Sequence, residues 1–323
     1  MRHCCINDFC FTFAQPTTNN QTAMDNNFDV IIIGGSYAGL SAGMSLGRSL
    51  RNVLIIDSGK SCNRQTPYSH NFLTHDGESP KVINRIAREQ VLKYETVKLY
   101  DGTVVKTNKI SGGFEVETDS GEKFNAKKLI IATGIKDIHP DIPGFTDCWG
   151  ISVLHCPYCH GYEVRNEATG ILANGDIAYE FSKMILNWTK KITLFTNGKP
   201  TFTEQQIDKL DQHQIHINED EIEKIEHENG NIKKIVFKNG KEFPLKVLYA
   251  KIPFEQNLKA AEDLGYELTE QGFIKTDLFQ KTTVYGIYAC GDNVTMMRSV
   301  ANAVSQGNFT GAMVNKELVD ENF

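Results

Sequence analysis

The chain has 323 residues, 40% of them hydrophobic, and its 34 basic and 40 acidic residues leave a net charge of −6. This length suits about two globular domains, each with its own hydrophobic core. The weakly acidic balance, without a basic stripe or a run of the ~20 apolar residues that span a bilayer, argues against nucleic-acid and membrane partners and favours a small-molecule or protein-thiol partner.

The first 27 residues are expected to lie outside the fold. Their apolar part is short, contains Asn7 and Asp8, and runs into a polar stretch without a clean secretory signal. We expect residues 1–27 to be a disordered extension, or a segment that precedes a translation start at Met24. The eight cysteines are too sparse for a disulfide-stapled secreted scaffold, so a reducing, cytoplasmic location is expected.

A strand–turn–helix pattern opens the first predicted domain. The β-branched run after Phe28 leads into Gly34-Gly-Ser-Tyr-Ala-Gly39, which is typical of a turn that places a pyrophosphate at a helix N-terminus. Ser36 replaces the middle glycine of the template, and the next strand ends in Asp57, about 20 residues downstream, where an acid holds a ribose hydroxyl. A glycine-rich turn in another α/β protein is the alternative. The candidate cofactor-binding residues are Gly34, Gly35, Ser36, Ala38, Gly39 and Asp57.

The segment between Gly59 and Lys136 interrupts this pattern. It begins with a loop that contains Arg64, a further candidate for cofactor binding, and continues with a helix over residues 81–93. Three short alternating strands then predict a small β-meander inserted in a parallel sheet. The last strand ends in Ala132-Thr133-Gly134, where a tight turn would let the backbone pass close to a nucleotide.

The stretch His155-Cys156-Pro-Tyr-Cys159-His160 carries the most reactive pattern of the chain. Two thiols at this spacing can close a disulfide and pass two electrons as a unit, and a neighbouring helix start or imidazolium favours the thiolate. Half of a zinc site and the attachment site of c-type haem are the alternatives. No second Cys or His pair has zinc-ligand spacing, so no metal is predicted, and haem attachment conflicts with a cytosolic context. The candidate catalytic residues are Cys156, Cys159 and His160.

The strand–turn–helix pattern then recurs as an internal repeat, with a strand and turn over residues 169–178 and a second strand over residues 192–196. This copy departs from the nucleotide-binding template, because Ala173 and Ala178 stand at its first and third glycines. Its second strand ends in Thr196-Asn-Gly, with neither an acid for a ribose nor an arginine for a 2′-phosphate. The sequence argues against NAD(P)H binding but leaves it open.

The chain finally returns to the first domain. A short strand ends in Gly291-Asp292 and precedes helix-like residues 299–316. This arrangement suits a carboxylate that holds a ribityl or ribose hydroxyl while the helix N-terminus faces a flavin ring. Ser299 and Val300, at the helix start, are further candidates for cofactor binding.

Together these elements predict an α/β fold of two Rossmann-like, three-layer ββα domains, the first of them discontinuous. We expect residues 28–138 and 270–323 to form the first domain. Residues 139–269 would form the inserted domain, which carries the cysteine pair.

From about Asn27 to Glu317 the chain resembles the low-molecular-weight thioredoxin reductases, which are FAD-dependent pyridine nucleotide-disulfide oxidoreductases. Four motifs occur in the family's order: the glycine-rich turn at Gly34 with Asp57, Ala132-Thr133-Gly134, the Cys-x-x-Cys pair, and Gly291-Asp292. The resemblance implies bound FAD, a homodimer, and a thioredoxin-like partner whose disulfide Cys156 attacks while Cys159 lies against the flavin. An acid usually follows the second cysteine and protonates the leaving thiolate, and His160 stands at that position.

The variants Cys-Pro-Tyr-Cys-His-Gly-Tyr-Glu and Gly-Gly-Ser-Tyr-Ala-Gly are similar to a side branch, the dithiol oxidases of gliotoxin- and holomycin-type products. That resemblance implies a small dithiol substrate, O2 as electron acceptor and no nicotinamide. The sequence leaves the direction of electron flow open: NAD(P)H to a thioredoxin-like disulfide, or a dithiol to O2. A non-catalytic, flavin-bound redox sensor is the third alternative.

Overall fold

The structure is a computed structural model that describes residues 26–257 and 264–323. The predicted N-terminal extension lies outside the described residues except for its last two positions, and Asn27 already begins the first strand. Within the described part of the chain, no helix has both the length and the apolarity needed to cross a membrane.

The elements fall into three stretches of the chain. The first comprises β1 (Asn27–Ile33), α1 (Tyr37–Arg48), β2 (Val53–Asp57), α2 (Pro80–Val91), β3 (Val97–Asp101), β4 (Val104–Ile110), β5 (Gly113–Thr118) and β6 (Lys123–Ile131). The second comprises β7 (Ile135–Asp137), α3 (Phe145–Cys148), β8 (Val153–Leu154), α4 (Pro157–His160), β9 (Thr169–Leu172), α5 (Gly175–Ile185), β10 (Ile192–Phe195), α6 (Glu204–Gln212), β11 (His216–Asn218), β12 (Ile222–Glu228), β13 (Asn231–Phe237), β14 (Glu242–Pro244), β15 (Val247–Ala250) and β16 (Phe254–Gln256). The third comprises β17 (Ile287–Ala289) and α7 (Val300–Asp320).

The first sheet has seven strands in the order β3-β2-β1-β6-β5-β4, with β17 also paired to β6. Strands β1, β2, β3, β6 and β17 run parallel, while β4, β5 and the start of β6 form the predicted antiparallel meander. Strand β6 pairs with β5 through Ala126 and then with β17 from Leu129 to Ile131. The last part of the chain therefore completes the sheet that the first part begins.

Both faces of this sheet are covered, which explains the continuous apolar run of β1. Ile31 and Ile33 face a core shared with the meander, whereas Val30 and Ile32 face a core shared with α1 and α7. The two helices approach closely through small residues, since a Cβ added to Gly307 would lie 2.0 Å from the Ala38 carbonyl oxygen. This packing places the N-terminus of α7 beside that of α1.

The second sheet is parallel, in the order β11-β10-β9-β15-β8. Helices α5 and α6 cover one face, and the antiparallel sheet β12-β13-β14 covers the other. The predicted three-layer arrangement and the α/β fold class are thus confirmed. Strands β7 and β16, one from each crossover between the two sheets, pair with each other from Ile135 to Asp137.

Candidate active site

The turn after β1 requires glycine for reasons of space. Gly34 has φ of +110°, and a Cβ added there would lie 2.3 Å from the Ala132 carbonyl oxygen at the end of β6. A Cβ on Gly39 would lie 1.8 Å from the Gly34 carbonyl oxygen, and one on Gly35 would lie 2.6 Å from Cβ of Asp57. The chain can therefore bring β1, α1, β2 and β6 together only without these side chains.

Helix α1 presents its first amide groups towards this turn. Ser36 is the N-cap and makes no side-chain capping bond within the described residues, so the first N–H groups suit an anion. Beside them, the Tyr37 hydroxyl accepts a hydrogen bond from Asn63 Nδ2 at 3.2 Å. The Asn63 Oδ1 atom is buried without a hydrogen-bond partner among the described residues, and it suits a hydroxyl donor of a ligand.

Asp57 and Arg64, two further candidates for cofactor binding, both bond to neighbouring protein groups. Asp57 ends β2, where its carboxylate accepts from the Gly59 amide at 3.2 Å and lies 3.4 Å from Arg88 Nη1. Asp57 thus ends β2 beside Gly35, but it is not among the residues that line the cleft described next, and its role as a ribose acceptor stays a prediction. Arg64 is exposed and donates to the Ser61 carbonyl oxygen at 2.9 Å, so it lies apart from the residues that line the cleft described next.

One cleft joins the glycine-rich turn, the end of β6, the start of α7 and the segment of the cysteine pair. The predicted site residues that line it are Ser36, Ala38, Ala132, Thr133, Gly134, Cys159, His160, Gly291, Asp292, Ser299 and Val300.

Asp292 lies in this cleft directly after Gly291, which has φ of +90°. Burial raises the pKa of the Asp292 carboxyl, and the Arg298 guanidinium, with Nε 3.6 Å from Oδ2, opposes that rise. The Cys62 thiol donates to Oδ2 at 3.7 Å. Although Cys62 as a residue is exposed, burial of its sulfur in the cleft, followed by the Asp292 charge, raises the thiol pKa, so Cys62 is no thiolate at neutral pH.

The cysteine pair forms a disulfide. Cys156 and Cys159 have Cα atoms 5.3 Å apart, and Cys156 is the N-cap of the short helix α4. Both residues are partly buried, and Cys159 lines the same cleft as Gly134 and Gly291. The structure therefore brings one sulfur of the pair to the site of the glycine-rich turns.

Both histidines that flank the pair are largely buried and neutral. Burial lowers the pKa of His160 to about 4, with a smaller contribution from the charge of His70. Burial, followed by the charge of Arg298, also lowers the pKa of His155, whose ring stacks on Trp149 with centroids 5.7 Å apart. At pH 7 both imidazoles are therefore in the neutral form.

Two residues that the motifs do not include fix the far side of the cleft. Arg298 donates to both carboxylate oxygens of Asp137, at 2.8 and 2.9 Å, and both residues line the cleft. Asn63, Trp149 and His70 also line it and belong to no sequence motif. Their sequence signal is weak, because each is brought in by a loop or crossover rather than by local spacing.

These residues fit FAD. Within the described residues, the first amides of α1 beside Ser36, the unpartnered Asn63 Oδ1 and the Asp292 carboxyl border the cleft and supply the anion site and hydroxyl partners that a flavin dinucleotide needs. No group of three or more His, Cys, Asp or Glu side chains in residues 26–257 and 264–323 is arranged to hold a metal ion.

The corresponding turn of the second sheet does not fit a nicotinamide dinucleotide. The Asn174 side chain accepts from the first amide of α5, that of Gly175, at 2.8 Å, and from the Thr201 amide at 2.9 Å. After β10, Thr196 Oγ1 donates to the Gly198 carbonyl oxygen at 2.6 Å, and Asn197 Oδ1 accepts from a backbone amide. The groups that should receive a pyrophosphate and a ribose therefore bond to the protein itself.

Comparisons with known proteins agree with this architecture. A family model described as pyridine nucleotide-disulphide oxidoreductase matches residues 28–307. The chain is 31% identical over 311 residues to thioredoxin reductase tcpT of Claviceps purpurea (strain 20.1), covering 91% of this chain and 95% of that protein. It is 33% identical over 311 residues to thioredoxin reductase sirT of Leptosphaeria maculans, covering 89% and 93%. The crystal structure of an oxidoreductase from Agrobacterium tumefaciens matches with a TM-score of 0.85 and 36% identity, covering 91% and 99%.

Proposed function

We propose that this chain works as a dithiol oxidase. It belongs to the pyridine nucleotide-disulphide oxidoreductase family and is a thioredoxin-reductase-like, FAD-dependent enzyme. A dithiol substrate would reduce the Cys156–Cys159 disulfide, and the electrons would leave through FAD to O2. One observation carries the direction: among the described residues the N-terminus of α1 has no side-chain cap and borders the cleft through Ser36 and Ala38, whereas the first amide of α5 is already bonded to Asn174.

Thiol–disulfide exchange at the cysteine pair accounts for the oxidation. A substrate thiolate attacks Cys156 Sγ, a bond forms between the two sulfurs, and Cys159 leaves as a thiolate. The second substrate thiol then attacks the substrate sulfur bound to Cys156, which releases the product disulfide and leaves Cys156 as a thiol. FAD, when bound, supplies the two-electron acceptor that returns the pair to the disulfide.

The order of the two cysteines follows from their positions. Cys159 lines the cleft with Gly134 and Gly291, so it is the sulfur suited to exchange electrons with the flavin. Cys156 is partly exposed at the start of α4 and is the sulfur that substrate attacks.

His160 supplies the proton acceptor. Its pKa of about 4 leaves the imidazole neutral at pH 7, ready to take a proton from a substrate thiol. As Cys159 becomes a thiolate, the new negative charge stabilises the imidazolium that forms beside it. The reductase direction would instead need His160 to be protonated before reaction, which its burial opposes.

The second candidate is reduction of a thioredoxin-like disulfide by NAD(P)H. The names of the relatives tcpT and sirT favour it. The exposed rings of Tyr158 and Tyr162, beside the cysteine pair, offer a contact surface for a protein partner. In either direction the substrate is a dithiol or its disulfide.

We propose that residues 28–138 and 270–323 form the FAD domain around the first sheet, and that residues 139–269 form the redox domain around the second. A cytoplasmic homodimer is proposed from the resemblance, with exposed Leu278, Phe279 and neighbouring apolar side chains as part of its contact surface.

Anaerobic mixing of the FAD-loaded protein with dithiothreitol, NADPH or NADH tests the direction. We expect dithiothreitol to bleach the flavin absorbance, neither nicotinamide to do so, and readmitted air to restore the colour with one hydrogen peroxide per dithiol oxidised. Rapid bleaching by NADPH or NADH would overturn the oxidase proposal in favour of the reductase.

A further inference from the structure

We propose that His70, with Glu163 and Asp76, forms the path by which the proton taken up by His160 reaches solvent. This inference rests on the proposed exchange at the cysteine pair, which holds the same proton chemistry in either direction. His70 comes from the loop after β2, whereas His160 and Glu163 belong to the segment of the cysteine pair.

The loop around His70 is held in place by its own hydrogen bonds. The Ser69 amide donates to the Glu78 carbonyl oxygen at 2.8 Å, and the Gly77 amide donates back to the Ser69 carbonyl oxygen at 2.9 Å. The Asp76 carboxylate accepts from the Asn71 amide at 2.7 Å. The His70 ring is therefore presented from a closed turn and is not the tip of a free loop.

His70 joins two carboxylates to the cleft. Nδ1 lies 3.6 Å from a Glu163 carboxylate oxygen and 3.8 Å from an Asp76 oxygen. His70 also lines the same cleft as His160. An imidazole can take a proton at one nitrogen and give up another at the second, which is the property a relay needs.

Exposure increases in steps along this line. The His70 side chain is 19% exposed, that of Glu163 is 40% exposed and that of Asp76 is 69% exposed. The distances from Nδ1 exceed a direct hydrogen bond, so transfer requires a small rotation of an exposed carboxylate or one bridging water. The charged and titratable groups facing His70 are Asp76 from its own loop, and Glu163 and His160 from the cysteine segment.

Proton accounting explains why such a path is needed. Oxidation of R(SH)2 to a disulfide releases two electrons and two protons. The electrons break the Cys156–Cys159 bond, and one proton ends on Cys156 Sγ. Because Cys159 remains a thiolate, the second proton goes to His160, whose burial favours the neutral ring, so this proton leaves during reduction by the dithiol. One proton is taken up again when O2 is reduced to hydrogen peroxide, so the path carries a proton out and back in each cycle.

The test measures the rate of anaerobic flavin reduction by dithiothreitol, recorded by stopped flow at several pH values. It compares wild type, His70→Ala and the control His75→Ala. His75 lies in the same loop and bonds to its neighbour Thr74 at 2.9 Å. We expect His70→Ala to slow flavin reduction by about tenfold or more and to change the pH dependence of the rate. The dithiol concentration that gives half the maximal rate should not change, and added imidazole should restore the rate. His75→Ala should match wild type.

A second, double variant distinguishes loss of the proton path from a change in the structure of the His70 loop. Glu163→Gln with Asp76→Asn keeps both side-chain shapes, and it should reproduce the slowing and raise the solvent deuterium isotope effect. Equal rates and pH profiles for the His70, His75 and wild-type proteins would overturn the relay, as would a loss that imidazole does not restore. Failure of wild type itself to be reduced by dithiol would instead overturn the proposed function.

Discussion

Arg298 and Asp137, which are 161 positions apart in the chain, form a two-point ion pair with N–O distances of 2.8 and 2.9 Å. Asp137 ends β7, the first crossover, and Arg298 directly precedes the N-cap of α7. The Asp137 side chain is 8% exposed and the Arg298 side chain is 16% exposed. The pair therefore ties the crossover strand to the helix that borders the flavin cleft.

Asp137→Asn should destabilise the protein, because the largely buried Arg298 guanidinium then keeps, among the described residues, only the more distant Asp292 carboxyl, at 3.6 Å from Nε, as an acidic partner. We expect a loss of roughly 3 kcal/mol in the free energy of unfolding, together with weaker retention of FAD. Urea unfolding with and without excess FAD measures both. Lys136→Gln, which breaks an exposed ion pair with Glu255, is the matched control and should stay within about 0.5 kcal/mol of wild type. Equal stability of the two variants would show that the Arg298 pair does not hold the cleft.

A second buried ion pair predicts acid sensitivity. Lys128 Nζ lies 2.7 Å from Glu317 at the end of α7, and the pKa of Glu317 is lowered to about 2 although burial alone would raise it. A lowered folded-state pKa contributes stability that is present above the ordinary value of 4.5 and is lost as pH falls towards 2. Glu317→Gln should lower the free energy of unfolding by about 3 kcal/mol at pH 7. In this variant the free energy of unfolding should also fall less steeply as the pH is lowered.

The control for that pair is Asp320→Asn, at an exposed i,i+4 pair with Lys316. It should change the stability by less than about 0.5 kcal/mol at any pH. If the free energy of unfolding of Glu317→Gln falls with acid as steeply as that of wild type, other carboxylates govern acid unfolding.

Gly39→Ala should yield protein that does not retain FAD, since the added Cβ meets the Gly34 carbonyl oxygen at 1.8 Å and forces the turn open. Gly121→Ala is the control: φ is +84° and no atom lies within 4 Å of the added Cβ, so only turn strain of about 1 kcal/mol is expected. The ratio of flavin to protein absorbance after purification reports the outcome. Full flavin content in Gly39→Ala would contradict the assigned cofactor turn.

The pH profile of flavin reduction tests His160. Because its pKa is lowered from 6.5 to about 4, the imidazole stays neutral until the pH approaches 4. We expect the reduction rate to show no His160 titration between about pH 5 and pH 7, and His160→Asn to lose about 100-fold in rate. A wild-type rate that falls with a midpoint near 6.5 and loses that midpoint in His160→Asn would contradict the buried, neutral ring.

Local spacing was enough to predict the glycine-rich strand–turn–helix and the disulfide of the cysteine pair, because each of those features lies within a short stretch of chain. The strand alternation also predicted the meander of β4, β5 and β6. Helix α6 was missed, although Thr203 and Gln206 form a capping box at its start. The Arg298–Asp137 pair and the position of His70 could not be read from spacing, since both depend on how two crossovers and a loop meet in space.

If electrons reach the flavin through Cys156 and Cys159, removing both thiols should stop flavin reduction. The measurement is stopped-flow reduction by dithiothreitol of FAD-loaded protein that carries both Cys156→Ser and Cys159→Ser. Cys148→Ala, at a buried thiol in α3, serves as the control. We expect the double variant to be reduced no faster than free FAD, while Cys148→Ala keeps the wild-type rate. Reduction of the double variant at the wild-type rate would show that the electrons take another route.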